Sequence, residues 1–163
     1  MMFHTGKLRN MASVYLMRDE EILLLYRKGN SIVSNLWIGS AGGHFEQEEL
    51  NDAKACVLRE LKEELDLDSD VLTDLQLRYV TMRYTNGEIR QNYYFFAKLA
   101  KDIHEIPEST EGRCQWFQLS QLEDLPMPFT ARHVIDHYLV EGRHTCELYG
   151  GIADQSGVHF HHL

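Results

Sequence analysis

The chain has 163 residues, of which 44% are hydrophobic and 25% charged, and its net charge is −9. This is the composition of a globular protein, and we expect a single domain over residues 1–163, with a core at about 10–142 and a C-terminal tail at 143–163. The acidic charge disfavours a nucleic acid polymer as partner, because neutralising its phosphates requires a basic surface. A small phosphorylated molecule is compatible with this charge if a bound metal ion supplies positive charge locally.

The cysteines and the apolar segments indicate a cellular compartment. Cys56, Cys114 and Cys146 are odd in number and widely spaced, which is typical of free thiols in a reducing environment. The N-terminal residues contain no apolar core typical of a signal peptide, and no apolar run approaches the length of a membrane span. We therefore expect a soluble, cytoplasmic protein without a membrane partner.

The first half of the chain predicts strands followed by a helix. Residues 11–17 and 21–27 are apolar runs separated by three charged residues, which is typical of a strand hairpin. A short apolar segment at 36–41 then leads into Gly42-Gly43. Residues 51–65 predict the best helix, with apolar residues at helical spacing and Asn51 as the capping residue.

The second half repeats this order of elements. Residues 77–85 and 89–99 flank Asn86-Gly87, a pair that favours a type I′ hairpin turn. A polar loop at 100–112 and a strand at 114–119 come next.

A second helix is predicted at about 130–140, and the order of the tail from Thr145 onward is left open. Strands and helices without regular alternation predict an α/β (α+β) fold, in which a mixed sheet packs against helices.

Three carboxylates crowd one turn of the first predicted helix. Glu60, Glu63 and Glu64 are spaced i, i+3 and i+4, so their side chains share one face. Like charges at this spacing oppose helix formation by roughly 0.2–0.5 kcal/mol per pair. A hard divalent cation such as Mg²⁺, Mn²⁺ or Ca²⁺ would offset this repulsion, because such ions prefer oxygen ligands. A solvated acidic helix face is the alternative that the cluster alone leaves open.

This cluster belongs to a longer pattern that resembles the Nudix hydrolase superfamily. The pattern consists of Gly43, five residues, Glu49, and then the run Arg59-Glu60-Leu61-Lys62-Glu63-Glu64-Leu65-Asp66-Leu67. The resemblance extends over about residues 10–142 and implies an α/β/α sandwich with a mixed β-sheet between helices. Two departures stand out. Nine residues rather than seven separate Glu49 from Arg59, so either Glu48 or, as we prefer, Glu49 takes the place of the first glutamate. Asp66 replaces the glycine that usually ends the helix, and aspartate tolerates the left-handed conformation better than most residues.

The resemblance implies an activity and a cofactor. Nudix hydrolases of the MutT type cleave a pyrophosphate bond in a nucleoside diphosphate derivative with Mg²⁺ or Mn²⁺. The expected substrate is a nucleoside triphosphate, possibly oxidised, or a nucleotide sugar such as ADP-ribose, and a homodimer is plausible by resemblance. Two alternatives remain. One is a nucleotide-sensing Nudix-fold module without catalysis, although such relatives typically lose a helix glutamate. The other is an isomerase of isopentenyl diphosphate, whose catalytic cysteine and glutamate cannot be placed here.

The resemblance also assigns roles to particular residues. The predicted metal ligands are Glu60, Glu63, Glu64 and the Gly42 carbonyl. Arg59 is expected to orient the glutamates, and Glu49 and Glu111 complete the predicted catalytic group. Glu111 is the candidate for an additional ligand or general base, with Glu105 and Glu108 on the same loop as alternatives. Substrate contacts are expected from Gly43, His44 and Glu46.

Overall fold

The computed structural model describes residues 4–27, 35–105 and 108–163, so the part of the predicted loop at 106–107 lies outside the described residues. Within them the chain forms nine strands and two α-helices. The strands are β1 (Leu8–Arg18), β2 (Glu21–Arg27), β3 (Leu36–Ile38), β4 (Ala41–His44), β5 (Leu72–Thr85), β6 (Glu88–Leu99), β7 (Gly112–Gln118), β8 (Tyr149–Asp154) and β9 (Gly157–His162). The helices are α1 (Ala53–Leu65) and α2 (Phe129–Val140).

The strands form one mixed sheet between the two helices. Its order is β3-β2-β1-β6-β5-β8-β9, while β4 pairs with β1 and β7 pairs with β2. Buried residues of β1 alternate between the faces: Val14 and Leu16 pack with Leu61 of α1, whereas Tyr15 and Met17 belong to the cluster that contains α2. This alternation follows from the two-residue period of a strand. The predicted α/β/α sandwich is confirmed.

The sheet forks along β1, and this fork positions the site. Residues 16–18 of β1 pair with β2, whereas residues 11–14 pair with β4, which carries Gly42 and Gly43. Ser40 is fully buried in the fork, where its hydroxyl accepts a hydrogen bond from Leu16 N–H at 2.9 Å and donates one to Leu23 C=O at 2.5 Å. The hydroxyl therefore satisfies backbone groups that would otherwise be unpaired where the two strands separate.

Helix α1 starts and ends close to its predicted limits. Its N-cap is Asp52 and not Asn51, because the Asp52 side chain accepts a hydrogen bond from Ala55 N–H at 3.0 Å. At the other end Asp66 adopts the left-handed conformation, with φ 53° and ψ 36°. Asp66 therefore keeps the turn in the left-handed conformation that the usual glycine would adopt, as expected from the tolerance of aspartate for it.

The C-terminal tail is ordered sheet, although the sequence left its order open. β8 pairs in parallel with β5, and β9 pairs with β8 in antiparallel fashion, so the histidines His159, His161 and His162 lie on an edge strand. Buried Arg78 fixes the segment before β8 by donating to the carbonyl oxygens of Gly142, Thr145 and Glu147 at 2.7, 3.0 and 3.0 Å. These long-range contacts were not visible in the local sequence pattern.

Candidate active site

A cleft of about 890 Å³ opens between β4, α1 and the face of the sheet that packs against α2. Its wall on the β4 and α1 side carries most of the residues that the sequence singled out. These are Gly42, Gly43, His44, Glu46, Arg59, Glu60 and Glu64, with Glu111 completing this side. The cleft therefore brings together the glycine turn and two of the three helix glutamates, while Glu49 and Glu63 are not among its lining residues.

Arg59 organises the carboxylates around the site. Its Nε and Nη2 atoms lie 2.6 and 3.0 Å from the two carboxylate oxygens of Glu49, which is a bidentate pair. Its Nη1 donates to Glu60 at 2.8 Å and to Glu63 at 3.1 Å. Nη2 also donates to the backbone carbonyl of His44 at 3.0 Å, so the guanidinium links α1 to the glycine turn.

The structure favours Glu49 over Glu48 as the partner of Arg59. Glu49 is buried, whereas Glu48 is exposed. The hydrogen bond from Arg59 is the main reason that the pKa of Glu49 falls to about 2. The segment from Leu50 to Asp52 connects the 3₁₀ turn at Gln47–Glu49 to α1, and Glu49 meets Arg59 although nine residues separate them in sequence.

Other groups approach the backbone of both glycines of the turn closely, and at Gly42 these groups include backbone atoms of β1. A Cβ atom added at Gly43 would lie on the Glu60 carboxylate, with its Cδ at 2.6 Å. A Cβ at Gly42 would lie 2.5 Å from the carbonyl oxygen of Ala12 on the paired strand. The double glycine therefore lets β4 pair with β1 while Glu60 packs against the turn.

Glu64 has the most perturbed carboxylate of the cleft. Burial, and then the neighbouring carboxylates of Glu60 and Glu111, raise the pKa of Glu64 to about 8, while a hydrogen bond from the Gly42 backbone acts in the opposite direction. Arg59 contacts Glu60 and Glu63, but its described hydrogen bonds do not include Glu64. Glu64 therefore faces two like charges without its own cationic partner within the described chain.

The remaining predicted residues differ in their surroundings. Glu63 is largely exposed and is held by Arg59. Glu111 pairs with Arg27 at 3.1 Å and lines the cleft, whereas its alternatives Glu105 and Glu108 are exposed and do not line it. In residues 4–27, 35–105 and 108–163, no three His, Cys, Asp or Glu side chains converge closely enough to hold a metal ion. Arg59 engages Glu60 and Glu63 in this arrangement, so a full ligand set requires side-chain rotation.

His44 faces the cleft as the sequence predicted, and its partner is an arginine. Its Nε2 atom lies 2.9 Å from Nη2 of Arg9. Burial and the charge of Arg9 lower the pKa of the His44 imidazole. Glu46 is exposed, and its backbone N–H donates to Glu49 at 3.0 Å.

The sheet side of the cleft carries residues that the sequence analysis missed. They are Arg9 and Met11 on β1, Arg90, Asn92 and Tyr94 on β6, Arg83 on β5, and Phe129 at the start of α2. Alternation along each strand could have shown that Arg90, Asn92 and Tyr94 share a face. Their proximity to Arg9 depends on the parallel pairing of β1 with β6, for which the sequence provides no local signal.

The cysteines do not provide a reactive thiolate in the cleft. Burial raises the pKa of Cys56 to about 12 and that of Cys114 to about 11. The Cys56 sulfur lies 3.8 and 3.7 Å from the carbonyl oxygens of Gly43 and His44, beneath the glycine turn. Cys56 is therefore a packed residue of the core and not a reactive thiolate.

The protein is an α/β/α sandwich with a cleft lined by carboxylates and arginines, and comparisons with known proteins place it in a family. The NUDIX domain family matches residues 7–138, so the chain belongs to this family. This membership confirms the predicted superfamily and the predicted class of enzyme, a hydrolase acting on phosphoric anhydride bonds. No curated protein sequence matches the chain.

Solved structures share the fold. A MutT NUDIX hydrolase from Burkholderia pseudomallei is 25% identical, with 80% of this chain and 98% of that chain covered and a TM-score of 0.64. A NUDIX hydrolase from Nitrosomonas europaea is 18% identical over 93% of this chain and 82% of that one, with a TM-score of 0.70. An Ap4A hydrolase from C. elegans is 18% identical over 84% and 99% of the two chains, with a TM-score of 0.64. No helix in the described parts of the chain is long and apolar enough to cross a membrane.

Proposed function

We propose that this protein hydrolyses a phosphoric anhydride bond in a nucleoside diphosphate derivative, with Mg²⁺ or Mn²⁺ as cofactor. The observation that carries the proposal is the composition of one cleft of about 890 Å³, which is lined by the Glu60 and Glu64 carboxylates and by several arginines. Carboxylates suit a divalent cation, and arginines suit the phosphate groups that the cation would help to bind.

The donor set fits such a cation. Every predicted ligand in the cleft supplies oxygen, and Glu64 has no cationic partner of its own among the described residues. In the proposal Glu60, Glu63, Glu64 and the Gly42 carbonyl hold the ion. A bound Mg²⁺ would neutralise diphosphate oxygens and lower the pKa of a bound water.

The chain's own residues have distinct roles in this proposal. Arg59 is a positioning residue, because its hydrogen bonds to Glu49, Glu60 and Glu63 fix carboxylates near the glycine turn. Gly43 permits the approach of Glu60, and His44 and Glu46 lie at the rim where a phosphate can enter. Glu111, held by Arg27, is the candidate for a further ligand or for the general base.

The substrate class is a small nucleotide, either a nucleoside triphosphate or a nucleotide sugar such as ADP-ribose. The Ap4A hydrolase among the structural relatives supports a small nucleotide as substrate by likeness of fold. A cytoplasmic location and a homodimer remain parts of the proposal that rest on sequence and resemblance, and light scattering of the purified protein tests the latter.

A nucleotide panel tests the proposal. Release of phosphate or pyrophosphate is measured for nucleoside triphosphates, oxidised guanine nucleotides, Ap4A and ADP-ribose, with Mg²⁺, Mn²⁺ or EDTA. We expect turnover of at least one compound that depends on the metal and falls by at least about a hundredfold in Glu64→Gln. Tight nucleotide binding without turnover of any diphosphate would contradict hydrolysis and favour the sensing module. Isomerisation of isopentenyl diphosphate would contradict it as well, although neither Cys56 nor Cys114 lines the cleft.

A further inference from the structure

Three arginines form a row across three neighbouring strands. The parallel pairing of β1 with β6 places Arg9 opposite Arg90, and the antiparallel pairing of β6 with β5 places Arg90 opposite Arg83. Residues that pair in adjacent strands project from the same face of a sheet. All three side chains accordingly line the cleft that contains Glu60 and Glu64.

Like charges directly opposite one another destabilise a sheet, and the chain compensates for only part of this row. Glu88 pairs with Arg9 at 3.4 Å and with Arg90 at 3.1 Å, so one carboxylate serves both arginines. In the described chain no carboxylate lies within 4.0 Å of Arg83, whose guanidinium carbon instead lies 4.6 Å from the centre of the Phe129 ring. The row therefore carries excess positive charge in a protein whose net charge is −9.

The row extends away from the carboxylates of the proposed metal site. Its first member, Arg9, lies 2.9 Å from the ring of His44, which follows the glycine that packs on Glu60. Its last member, Arg83, lies two strands further, which corresponds to about 10 Å at the usual strand spacing. An anion bound along the row would therefore lie beside a diphosphate at Glu60 and Glu64, toward α2.

We propose that Arg9, Arg90 and Arg83 form an anion subsite that binds a phosphate group in addition to the two of the hydrolysed diphosphate. This inference rests on the proposed function and refines it, because it names the feature by which the cleft selects its substrate. Guanidinium groups suit this role, since each can donate two parallel hydrogen bonds to a phosphate. The extra phosphate belongs either to a polyphosphate chain or to a phosphorylated sugar of the nucleotide.

A binding experiment tests the subsite without any catalytic step. Calorimetry measures the affinity for inorganic tripolyphosphate in EDTA. Arg83→Gln is the informative variant, because Arg83 forms no ion pair within the described residues and its removal therefore breaks none there. We expect about a tenfold rise in Kd, the effect of losing one charge-assisted hydrogen bond.

Arg18→Gln is the matched control. Arg18 also stacks on an aromatic ring, with its guanidinium carbon 4.2 Å from the centre of Trp116, but it does not line the cleft. We expect Arg18→Gln to bind tripolyphosphate as the wild type does. A change below threefold in Arg83→Gln, an equal loss in Arg18→Gln, or no binding by the wild type would overturn the proposal.

Two pairs of nucleotides distinguish the possible sources of the phosphate. ADP and ATP differ by one phosphate at the chain end, and ADP-ribose and its 2′-phosphate differ by one on the sugar. With Mg²⁺, we expect the wild type to prefer the more phosphorylated member of one pair in kcat/KM, and Arg83→Gln to reduce that preference about tenfold. The pair that responds identifies the source. Turnover in which neither pair depends on Arg83 would overturn the proposal, whereas absence of all turnover would contradict the proposed hydrolase and leave the tripolyphosphate result to decide on the subsite.

Discussion

Arg59 and Glu64 lie on the same helix but differ in whether an oppositely charged side chain accompanies them. Arg59 uses its guanidinium nitrogens for three carboxylates and a backbone carbonyl, so each of these three glutamates has a cationic partner. Glu64 lies one turn further along the helix, near Glu60 and Glu111, and has no such partner within residues 4–27, 35–105 and 108–163. The glutamates that pair with Arg59 are suited to hold the geometry of the site, and Glu64 is suited to receive an added cation.

This difference predicts opposite effects of Glu64→Gln on stability and on turnover. In EDTA at neutral pH the variant should unfold at higher urea concentration, with a gain of about 0.5 kcal/mol or more, because burial and the neighbouring carboxylates disfavour ionised Glu64 in the folded protein and glutamine carries no charge. Its Mg²⁺-dependent turnover should be lost. Glu111→Gln is the comparison, and we expect a smaller loss of turnover there. Near-full activity of Glu64→Gln would contradict its assignment as a metal ligand.

The Glu49–Arg59 pair predicts a particular dependence of stability on pH. The pKa of Glu49 is about 2 in the folded protein against an ordinary value of 4.5, so folding favours the ionised form. Its contribution is therefore fully present above about pH 4.5 and is lost as the pH falls toward 2.

Glu49→Gln should accordingly lower the free energy of unfolding at neutral pH by about 1–3 kcal/mol, since Arg59 loses a charge-assisted bidentate partner. Urea unfolding measured at several pH values should show a shallower decline for the variant than for the wild type in the acid range. Parallel pH profiles of the two proteins would show that Glu49 is not the carboxylate involved. Glu48→Gln, at an exposed neighbouring position, is the control and should leave the profile unchanged.

At the scale of elements, one buried side chain holds the segment that leads into the C-terminal hairpin of β8 and β9. Arg78 connects β5 to the segment before β8 through three carbonyl oxygens, and each hydrogen bond to a charged group contributes about 1.5–3 kcal/mol. Arg78→Lys keeps the charge but cannot reach all three acceptors with the geometry of a guanidinium group. We expect it to lower the stability by at least about 1.5 kcal/mol.

Hydrogen exchange measures where that stability is lost. In Arg78→Lys the amides of β8 and β9 should exchange faster, while those of α1 should change little. Arg113→Lys, at an exposed position on β7, serves as the control. Unchanged protection of β8 and β9 would show that other contacts hold the hairpin.

The elements that the sequence predicted are those with local determinants. Asn86 and Gly87 form the predicted turn because both tolerate a positive φ, which is 52° and 76° here. Apolar spacing predicted α1, and only its cap was misplaced, from Asp52 to Asn51. The hairpin of β8 and β9 was missed because β5, the strand with which β8 pairs, lies some 70 positions earlier in the chain. The arginine row was missed for the same reason, since strand register between β1 and β6 is not encoded by neighbours in sequence.

At the scale of the whole molecule, positive charge is concentrated inside a cleft while the protein carries −9 overall. A nucleic acid duplex needs many cations across an open surface, because its affinity comes from releasing counterions along the backbone. We therefore expect no shift of duplex DNA or RNA in gel electrophoresis at protein concentrations up to about 10 µM and near-physiological salt. Arg83→Gln should behave identically. Binding that weakens steeply with added salt would contradict this prediction.

The turn at Leu50 to Asp52 is a place where the length of the chain can vary. It lies between Glu49 and α1, and Glu49 and Arg59 meet at 2.6 Å although nine residues separate them in sequence. What the site requires is therefore the contact between Glu49 and Arg59, and not a fixed number of residues between them. We therefore expect this turn to tolerate insertions and deletions, natural or engineered, as long as Glu49 and Arg59 can still make contact.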